Sequence, residues 1–138
     1  NHYLDKLQND KPKHVYGFLM DINDFKTIND IYGHLKGDQA IIQFGKILQH
    51  SIDKDSVAIR MGGDEFVIFA ILKSNEEALA LKKHIEQNVR QFNTNSTEPF
   101  HLSFSIGIAK FNGKNTDAFL SAMDDSMYEA KNMHRLMQ

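Results

Sequence analysis

The chain has 138 residues, of which 41% are hydrophobic, so it can form one domain with a real core but offers no second one. A formal net charge of −2 and the lack of a basic patch argue against binding to nucleic acid. The absence of cysteine excludes disulfides and thiolate metal sites and is compatible with a reducing cytosol. Neither a signal peptide nor a membrane-spanning segment is visible in the sequence.

Hydrophobic periodicity predicts helices and strands that alternate along the chain. Asp24 is expected to cap the helix that follows the first strand, and Gly33 to end it. Four or five strands with flanking helices fit a single α/β layered domain. In chain order we predict a helix at 2–9, a turn at 10–13, a strand at 15–22, helices at 25–32 and 37–51, strands at 56–61 and 66–72, a helix at 75–92, a loop at 94–99, a strand at 102–108 and a last helix over 119–130.

The segment Gly62-Gly63-Asp64-Glu65 lies between the two central strand-like runs and is the most informative part of the chain. Glycine tolerates positive φ, which tight hairpin turns require, and lets a ligand approach the backbone closely. Two adjacent carboxylates at such a tip suggest an active site. An ordinary hairpin turn is the alternative, since these residues are common in turns for conformational reasons alone.

A second acidic cluster follows the first predicted strand, which ends at Asp21. If this strand lies beside the hairpin, then Asp21, Asp64 and Glu65 converge on one negative patch. Mg²⁺ is held by one or two carboxylates, with phosphate and water oxygens completing its octahedron. A calcium loop does not fit, because Phe25 and Lys26 stand where a ligand and the turn glycine are needed.

Six motifs follow one another along the chain, at residues 21–26, 29–34, 37–38, 60–66, 105–109 and 128–131. Their order and spacing give the chain a close resemblance to the GGDEF family of diguanylate cyclases. The resemblance implies a ferredoxin-like core related to other nucleotidyl cyclases, with a mostly antiparallel sheet flanked by helices, and a bacterial source. We expect residues 1–138 to be a single GGDEF domain excised from a longer signalling protein, because the chain lacks an initiator Met and the family's usual lead-in.

Diguanylate cyclases join two GTP molecules into cyclic di-GMP and release two pyrophosphates. By resemblance, Asp21, Asp64 and the carbonyl of Ile22 hold the metal, with two Mg²⁺ or Mn²⁺ ions expected in each site. Asp64 and Glu65 are the expected catalytic residues. Glu65 either deprotonates the attacking hydroxyl or binds metal, and the sequence leaves these two roles open.

The resemblance also assigns substrate-binding residues. Asn29 and Asp38 resemble the guanine contacts. A buried carboxylate at position 38 suits the N1 and N2 donors of guanine, which favours GTP over ATP. Turn or capping roles are the alternatives for both residues. For His34 we favour a role in holding its loop through hydrogen bonds. The remaining substrate-binding positions are the triphosphate clamps Lys26, Lys131 and Arg135, together with Phe25, His34, Gly62 and Gly63.

The chain departs from the family pattern in three features. Asn23 replaces the second Asp of the usual Asp-x-Asp pattern, and we expect a modest loss of activity from it. His134 stands where the family usually has Gly, which weakens the assignment of Arg135. Asp53 and Ser56 occupy the positions of an Arg-x-x-Asp product-binding motif, and an anion cannot replace an arginine that grips phosphate. We therefore predict no high-affinity product inhibition through that site.

The expected partners are GTP, a second copy of the domain in a transient two-fold dimer, and an upstream sensory domain. No contact of this segment with nucleic acid or membrane is expected, and the location is cytoplasmic, compatible with a membrane anchor elsewhere in the full-length protein. The favoured function is the cyclase. The alternatives are a catalytically weak or inactive GTP-binding regulatory module and a purely structural dimerisation domain.

Overall fold

A computed structural model describes residues 13–137, and its centre is a four-stranded antiparallel sheet. The strands are β1 (His14–Ile22), β2 (Val57–Gly62), β3 (Glu65–Leu72) and β4 (Phe104–Lys110). The helices are α1 (Phe25–Tyr32), α2 (His34–Ser51), α3 (Asn75–Asn95) and α4 (Thr116–Leu136). The strand order β2-β3-β1-β4, with helices between β1 and β2 and between β3 and β4, is that of a ferredoxin-like core, so the predicted fold is confirmed.

The two faces of the sheet carry separate hydrophobic clusters, because successive side chains of a strand point to opposite faces. Phe18, Met20 and Ile22 of β1 face the larger cluster, which includes buried residues of α1, α2 and α3. Leu19 faces the smaller cluster, which α4 covers with Phe119, Met123 and Met127. Asp21 has the same parity as Leu19, so this alternation directs its carboxylate towards α4.

Glycine allows α4 to approach the sheet closely. A Cβ atom on Gly107 of β4 would overlap the backbone of Met123 and Met127. Gly17 of β1 faces the Met123 and Phe119 side chains in the same way. The absence of side chains at these two positions therefore sets the spacing between α4 and the strands, and with it the reach of α4 residues towards the end of β1.

Two alanine substitutions should have opposite effects on stability. Gly107→Ala should lower the free energy of unfolding by about 2 kcal/mol or more, because helix backbone cannot move aside as a flexible side chain can. Gly45→Ala lies inside α2, where the added methyl would sit 3.5 Å from the Phe66 ring, and should raise it by about 0.5–1 kcal/mol. Urea denaturation of both variants tests this, and equal effects would contradict the assigned spacing.

Two predicted boundaries move where single residues reorganise the backbone. α2 begins at His34 and not at residue 37, because Gly33 alone, at φ 90°, separates it from α1. Asp24 occupies the N-cap position of α1, but its side chain forms no capping hydrogen bond, so the predicted capping role is wrong. The backbone of Asp24 is left-handed, with φ 56°, so its side chain does not bind the N–H groups of the first turn of α1.

The other shifts lie at the ends of elements, and the largest is in α4, which begins three residues before and ends six residues after the predicted helix. α3 extends to Asn95, three residues beyond the prediction, and shortens the loop that follows. β4 begins at Phe104 because Leu102 is bound outside the sheet: the Asn93 amide donates to its carbonyl and accepts from its N–H, each at 2.7 Å. The hairpin strands differ from the prediction by one residue at their ends. The helix predicted at 2–9 lies outside the described residues. Within residues 13–137, no helix is long and apolar enough to cross a membrane.

Candidate active site

The end of β1 meets the turn between β2 and β3, as the two acidic clusters of the sequence suggested. Asp21 is the register partner of Glu65 on β3 and of Ser105 on β4. The Ile22 N–H donates to the Asp64 carbonyl oxygen at 3.2 Å. Since directly opposite residues of an antiparallel pair point to the same face, Asp21 and Glu65 share the face covered by α4.

The turn itself depends on its glycines. Gly62 has φ 150° and Gly63 has φ 53°, both in the region that favours glycine. The Arg60 guanidinium donates through Nε and Nη2 to the Gly63 carbonyl oxygen, at 3.0 and 2.8 Å. A register shift between Arg60 and Gly62 adds local twist. These features orient the turn so that Asp64 faces the end of β1.

Asp21 is a buried carboxylate whose hydrogen-bonding capacity is only partly used. It is 6% exposed and forms an ion pair with Lys131 of α4 through Oδ2. Its Oδ1 is buried and has no hydrogen-bond partner among the described residues. Burial raises the pKa of the Asp21 carboxyl above its ordinary value of 3.8; Lys131 opposes this, Asp64 adds to it and Arg135 again opposes it. Such a group destabilises the fold when ionised and is a candidate functional residue.

A polar cleft of about 390 Å³ opens beside Asp21. Acidic side chains from β1 and the hairpin face basic side chains from α1 and α4 across it. This combination suits a ligand that carries several negative charges together with a cation. The cleft is lined by Asp21, Ile22, Asn23, Asp24, Phe25, Lys26, Asp64, Lys131, His134 and Arg135.

The oxygen atoms that border the cleft suit a hard divalent cation that also binds a phosphate ligand. No group of three or more acidic or histidine side chains gathers within residues 13–137 to hold a metal on its own. Mg²⁺ commonly binds through one or two carboxylates and completes its shell with substrate phosphates and water. The unpartnered Oδ1 of Asp21 is a free ligand atom, and Asp64 and the Ile22 carbonyl border the same cleft.

The predicted guanine contacts lie apart from this cleft. Asn29 packs against Gly37, where an added Cβ would overlap its side-chain oxygen, and Asp38 follows directly in α2. Asp38 is exposed and not buried as predicted, and it cannot cap α2, which begins one turn earlier. His34 is also exposed, and its side chain makes no hydrogen bond within the described chain, so a loop-holding role has no support.

The structure brings some predicted site residues together and leaves others outside the cleft. Inside are the expected metal and triphosphate positions, whereas Glu65 and the two turn glycines lie at the adjoining hairpin. Residues in the cleft are Asp21, Ile22, Phe25, Lys26, Asp64, Lys131 and Arg135, and those outside are Glu65, Gly62, Gly63, Asn29, His34 and Asp38.

Sequence reasoning missed two pairings that border the cleft. His134 Nε2 lies 3.3 Å from Asp24 Oδ2, so the His that replaces the family glycine contacts the residue expected to be a cap. Asn23 contacts Ser103 and Ser105 near the start of β4. Both pairings join residues about eighty or more positions apart, and hydrophobic periodicity carries no signal for such polar contacts.

The structure is thus a ferredoxin-like sheet with a cleft at the end of β1, where acidic side chains face basic side chains of the helices. The chain belongs to the GGDEF family: the family model described as "Diguanylate cyclase, GGDEF domain" matches residues 1–136. The chain is 33% identical over 116 residues to the diguanylate cyclase DgcP of Escherichia coli, covering 82% of the chain and 34% of DgcP. It is 34% identical over 115 residues to DgcM of the same species, covering 83% and 28%. It thus spans about a third of these relatives or less.

Solved structures confirm the fold. The GGDEF domain of TpbB, also called YfiN, from Pseudomonas aeruginosa superposes with a TM-score of 0.78 at 26% identity, covering 96% of this chain and 78% of that one. An EAL/GGDEF domain protein from M. capsulatus gives a TM-score of 0.77 at 27% identity, covering 95% and 88%. The family and fold expected from the sequence are therefore correct.

Proposed function

We propose that this domain is the catalytic module of a diguanylate cyclase, which condenses two GTP molecules into cyclic di-GMP. The observation that carries the proposal is the buried, partly unpartnered Asp21 carboxylate beside Asp64, opposite Lys131 and Arg135 in one cleft. A structural domain gains nothing from a buried carboxylate whose ionisation costs stability. A phosphate-binding site with a divalent cation uses that group directly.

The reaction consists of two equivalent substitutions at phosphorus. In each, the ribose 3′-oxygen of one GTP bonds to the α-phosphorus of the other, the bond from that phosphorus to the bridging oxygen breaks, and pyrophosphate leaves. The hydroxyl proton must be accepted, and Glu65 is the carboxylate opposite Asp21 that we assign to this step. Such chemistry depends mainly on positioning and on stabilisation of charge.

Asp21, Asp64 and the Ile22 carbonyl are the proposed ligands of Mg²⁺ or Mn²⁺, with two ions in each site. Such ions, when bound, stabilise charge on the phosphate oxygens and favour ionisation of the attacking hydroxyl. Lys131 forms an ion pair with Asp21. We propose that Lys131 exchanges this partner for the triphosphate when GTP and metal enter, and that Lys26 and Arg135 bind further phosphate oxygens.

Guanine is assigned to the surface formed by Asn29 and Asp38 at the junction of α1 and α2. Both Asp38 oxygens are available to the N1 and N2 donors of guanine, because this side chain is exposed and makes no hydrogen bond within the described residues. Adenine offers an acceptor at N1, which a carboxylate repels. Discrimination for GTP over ATP follows from the unpaired groups that adenine would leave.

One domain supplies one such cleft, so two bonds require two domains that face each other around a two-fold axis. We propose that this domain acts in the cytoplasm as a transient homodimer, whose alignment is set by an upstream sensory domain. The initial rate should then rise more steeply than linearly with domain concentration. A strictly proportional rate in an enzyme-concentration series would count against dimeric catalysis.

The substitution Asp64→Ala separates the three function classes. In a cyclase it should abolish cyclic di-GMP formation, and in a GTP-binding regulatory module it should weaken Mg²⁺-dependent GTP binding without any turnover to lose. In a purely structural domain it should change neither property. Asp124→Ala, on an exposed part of α4, is the matched control and should leave both properties unchanged.

Strong product inhibition is not expected. Asp53 Oδ1 accepts hydrogen bonds from the Asp55 N–H and the Ser56 hydroxyl, each at 3.0 Å, so these residues form a local turn before β2. The turn offers a carboxylate where phosphate binding needs a cation. Initial rates with added cyclic di-GMP test this, and potent noncompetitive inhibition would show that the expectation is wrong.

A further inference from the structure

The side chain of Asn23 is held on both sides by the segment that leads into β4. Its Nδ2 donates to Ser103 Oγ at 2.9 Å, and its Oδ1 accepts from the Ser105 hydroxyl at 2.7 Å. Its backbone N–H also donates to the Ser103 carbonyl oxygen at 2.7 Å. Ser105 is only 4% exposed, so its hydroxyl needs a partner inside the protein. Asn23 therefore uses both ends of its amide in one network.

This network lies where the chain leaves β1. The two preceding residues, Asp21 and Ile22, border the cleft, and Ser105 is the register partner of Asp21. The next residue, Asp24, has a left-handed backbone with φ 56°, which costs a non-glycine residue about 1 kcal/mol. A strained residue directly after two proposed ligand positions has to be held in place. The two serines do this through Asn23, which lies between Ile22 and Asp24.

We propose that Asn23, Ser103 and Ser105 form a positioning unit that fixes the Asp21 carboxylate and the Ile22 carbonyl for metal binding. This inference rests on the proposed cyclase function. On this inference, Asn23 has a function of its own in this site, and its presence in place of aspartate is not a defect. Hydrogen-bonded partners of ligating groups typically change metal affinity or activity about 10- to 100-fold when they are removed.

The amide and a carboxylate are not equivalent at this position. Asn23 gives Ser103 a donor and Ser105 an acceptor, so neither hydroxyl has to compete for the same role. An aspartate would need both serines to donate and would add a third negative charge near Asp21 and Asp64. Because aspartate can still be held by both hydroxyls, Asn23→Asp should keep the network without improving the site.

The test is Mn²⁺ affinity, measured by electron paramagnetic resonance in the presence of a non-hydrolysable GTP analogue. Asn23→Leu, of similar volume but without polar atoms, and Ser105→Ala should each weaken Mn²⁺ binding about 10- to 100-fold. Their double variant should lose little more than either single variant, since both break one network. Asn23→Asp should stay within about threefold of the unmodified chain, as a conservative variant that rescues the role.

Ser126→Ala is the matched control, because it removes one hydrogen bond to β4, from the Ile108 N–H at 3.0 Å, further along the same strand. It should lower thermal stability as Ser105→Ala does but leave Mn²⁺ affinity unchanged. Equal Mn²⁺ affinity for Ser105→Ala and the unmodified chain would overturn the inference, and so would a tenfold gain from Asn23→Asp.

Cyclic di-GMP formation by the same preparations separates this inference from the proposed function. An unmodified domain that binds Mn²⁺ with the analogue but makes no product counts against the cyclase, while the affinities still decide the role of the network. An unmodified domain that binds no Mn²⁺ with the analogue overturns both.

Discussion

Asp21→Asn should abolish cyclic di-GMP synthesis, by about a thousandfold or more, and should at the same time stabilise the metal-free domain. The loss follows because the carboxamide removes the charge that a divalent cation requires. The gain follows because the Asp21 carboxylate is buried and its Oδ1 has no partner among the described residues. Lys131, whose side chain is 34% exposed, can turn to water when its partner becomes neutral.

The stabilisation should depend on pH. Because burial raises the pKa of Asp21 above 3.8, the folded state holds this proton more tightly than the unfolded state does. The stability that protonated Asp21 gives the folded state is fully present below pH 3.8. It is lost as the pH rises through the pKa that Asp21 has in the folded state. Asp21→Asn avoids this loss, so its advantage in unfolding free energy should be smallest at acidic pH and reach about 1 kcal/mol at neutral pH.

Urea denaturation in EDTA between pH 4.5 and 7.5 measures this difference, with Asp124→Asn as the exposed control on α4. The control should change neither stability nor activity. If Asp21→Asn were less stable than the unmodified chain at every pH, the ion pair with Lys131 would outweigh the burial of the carboxylate, and the account of Asp21 as a costly functional group would be wrong.

Asp38→Asn should reduce kcat/KM for GTP about 10- to 100-fold and should leave the low activity with ATP unchanged. A carboxylate accepts from both N1 and N2 of guanine, whereas an amide presents only one acceptor and places a donor against the second hydrogen. Loss of a hydrogen bond to a charged group costs about 1.5–3 kcal/mol, which corresponds to this range. The selectivity for GTP over ATP should therefore fall by the same factor.

Competition between GTP and ATP in one reaction measures this selectivity directly. Asp30→Asn is a suitable control, since Asp30 is exposed on α1 next to Asn29 but is not assigned to the base. An equal loss of kcat/KM for both nucleotides would mean that Asp38 contributes to folding or to phosphate binding and not to recognition of the base. A loss confined to GTP supports the guanine assignment.

Much of the fold could be predicted because its core strands are apolar runs that end at glycines or carboxylates. β1 and the hairpin strands agree with the prediction to within one residue at each end. The cleft was predictable because Asp21 lies near the end of β1 and Asp64 lies in the turn that leads into the neighbouring strand β3. Family motifs then supplied the basic residues of α4, which no local pattern would have distinguished from a solvated helix surface.

The parts that could not be predicted depend on polar contacts between distant segments. The left-handed backbone of Asp24 has no signature in a sequence where aspartate before a helix usually acts as a cap. Asn93 withdraws Leu102 from the start of β4 through two side-chain hydrogen bonds, so alternation alone placed that strand too early. The exposure of Asp38 follows from where Gly33 lets α2 begin.

The cyclase function is tested most directly by mass spectrometric detection of cyclic di-GMP. The domain, either concentrated or fused to a dimerising leucine zipper, is incubated with GTP and Mg²⁺, and in parallel with ATP. We expect cyclic di-GMP from GTP, far less of the corresponding product from ATP, and no product after Asp64→Ala. A dimerised domain that binds GTP and Mg²⁺ but forms no cyclic di-GMP would contradict catalysis and favour a GTP-binding regulatory module.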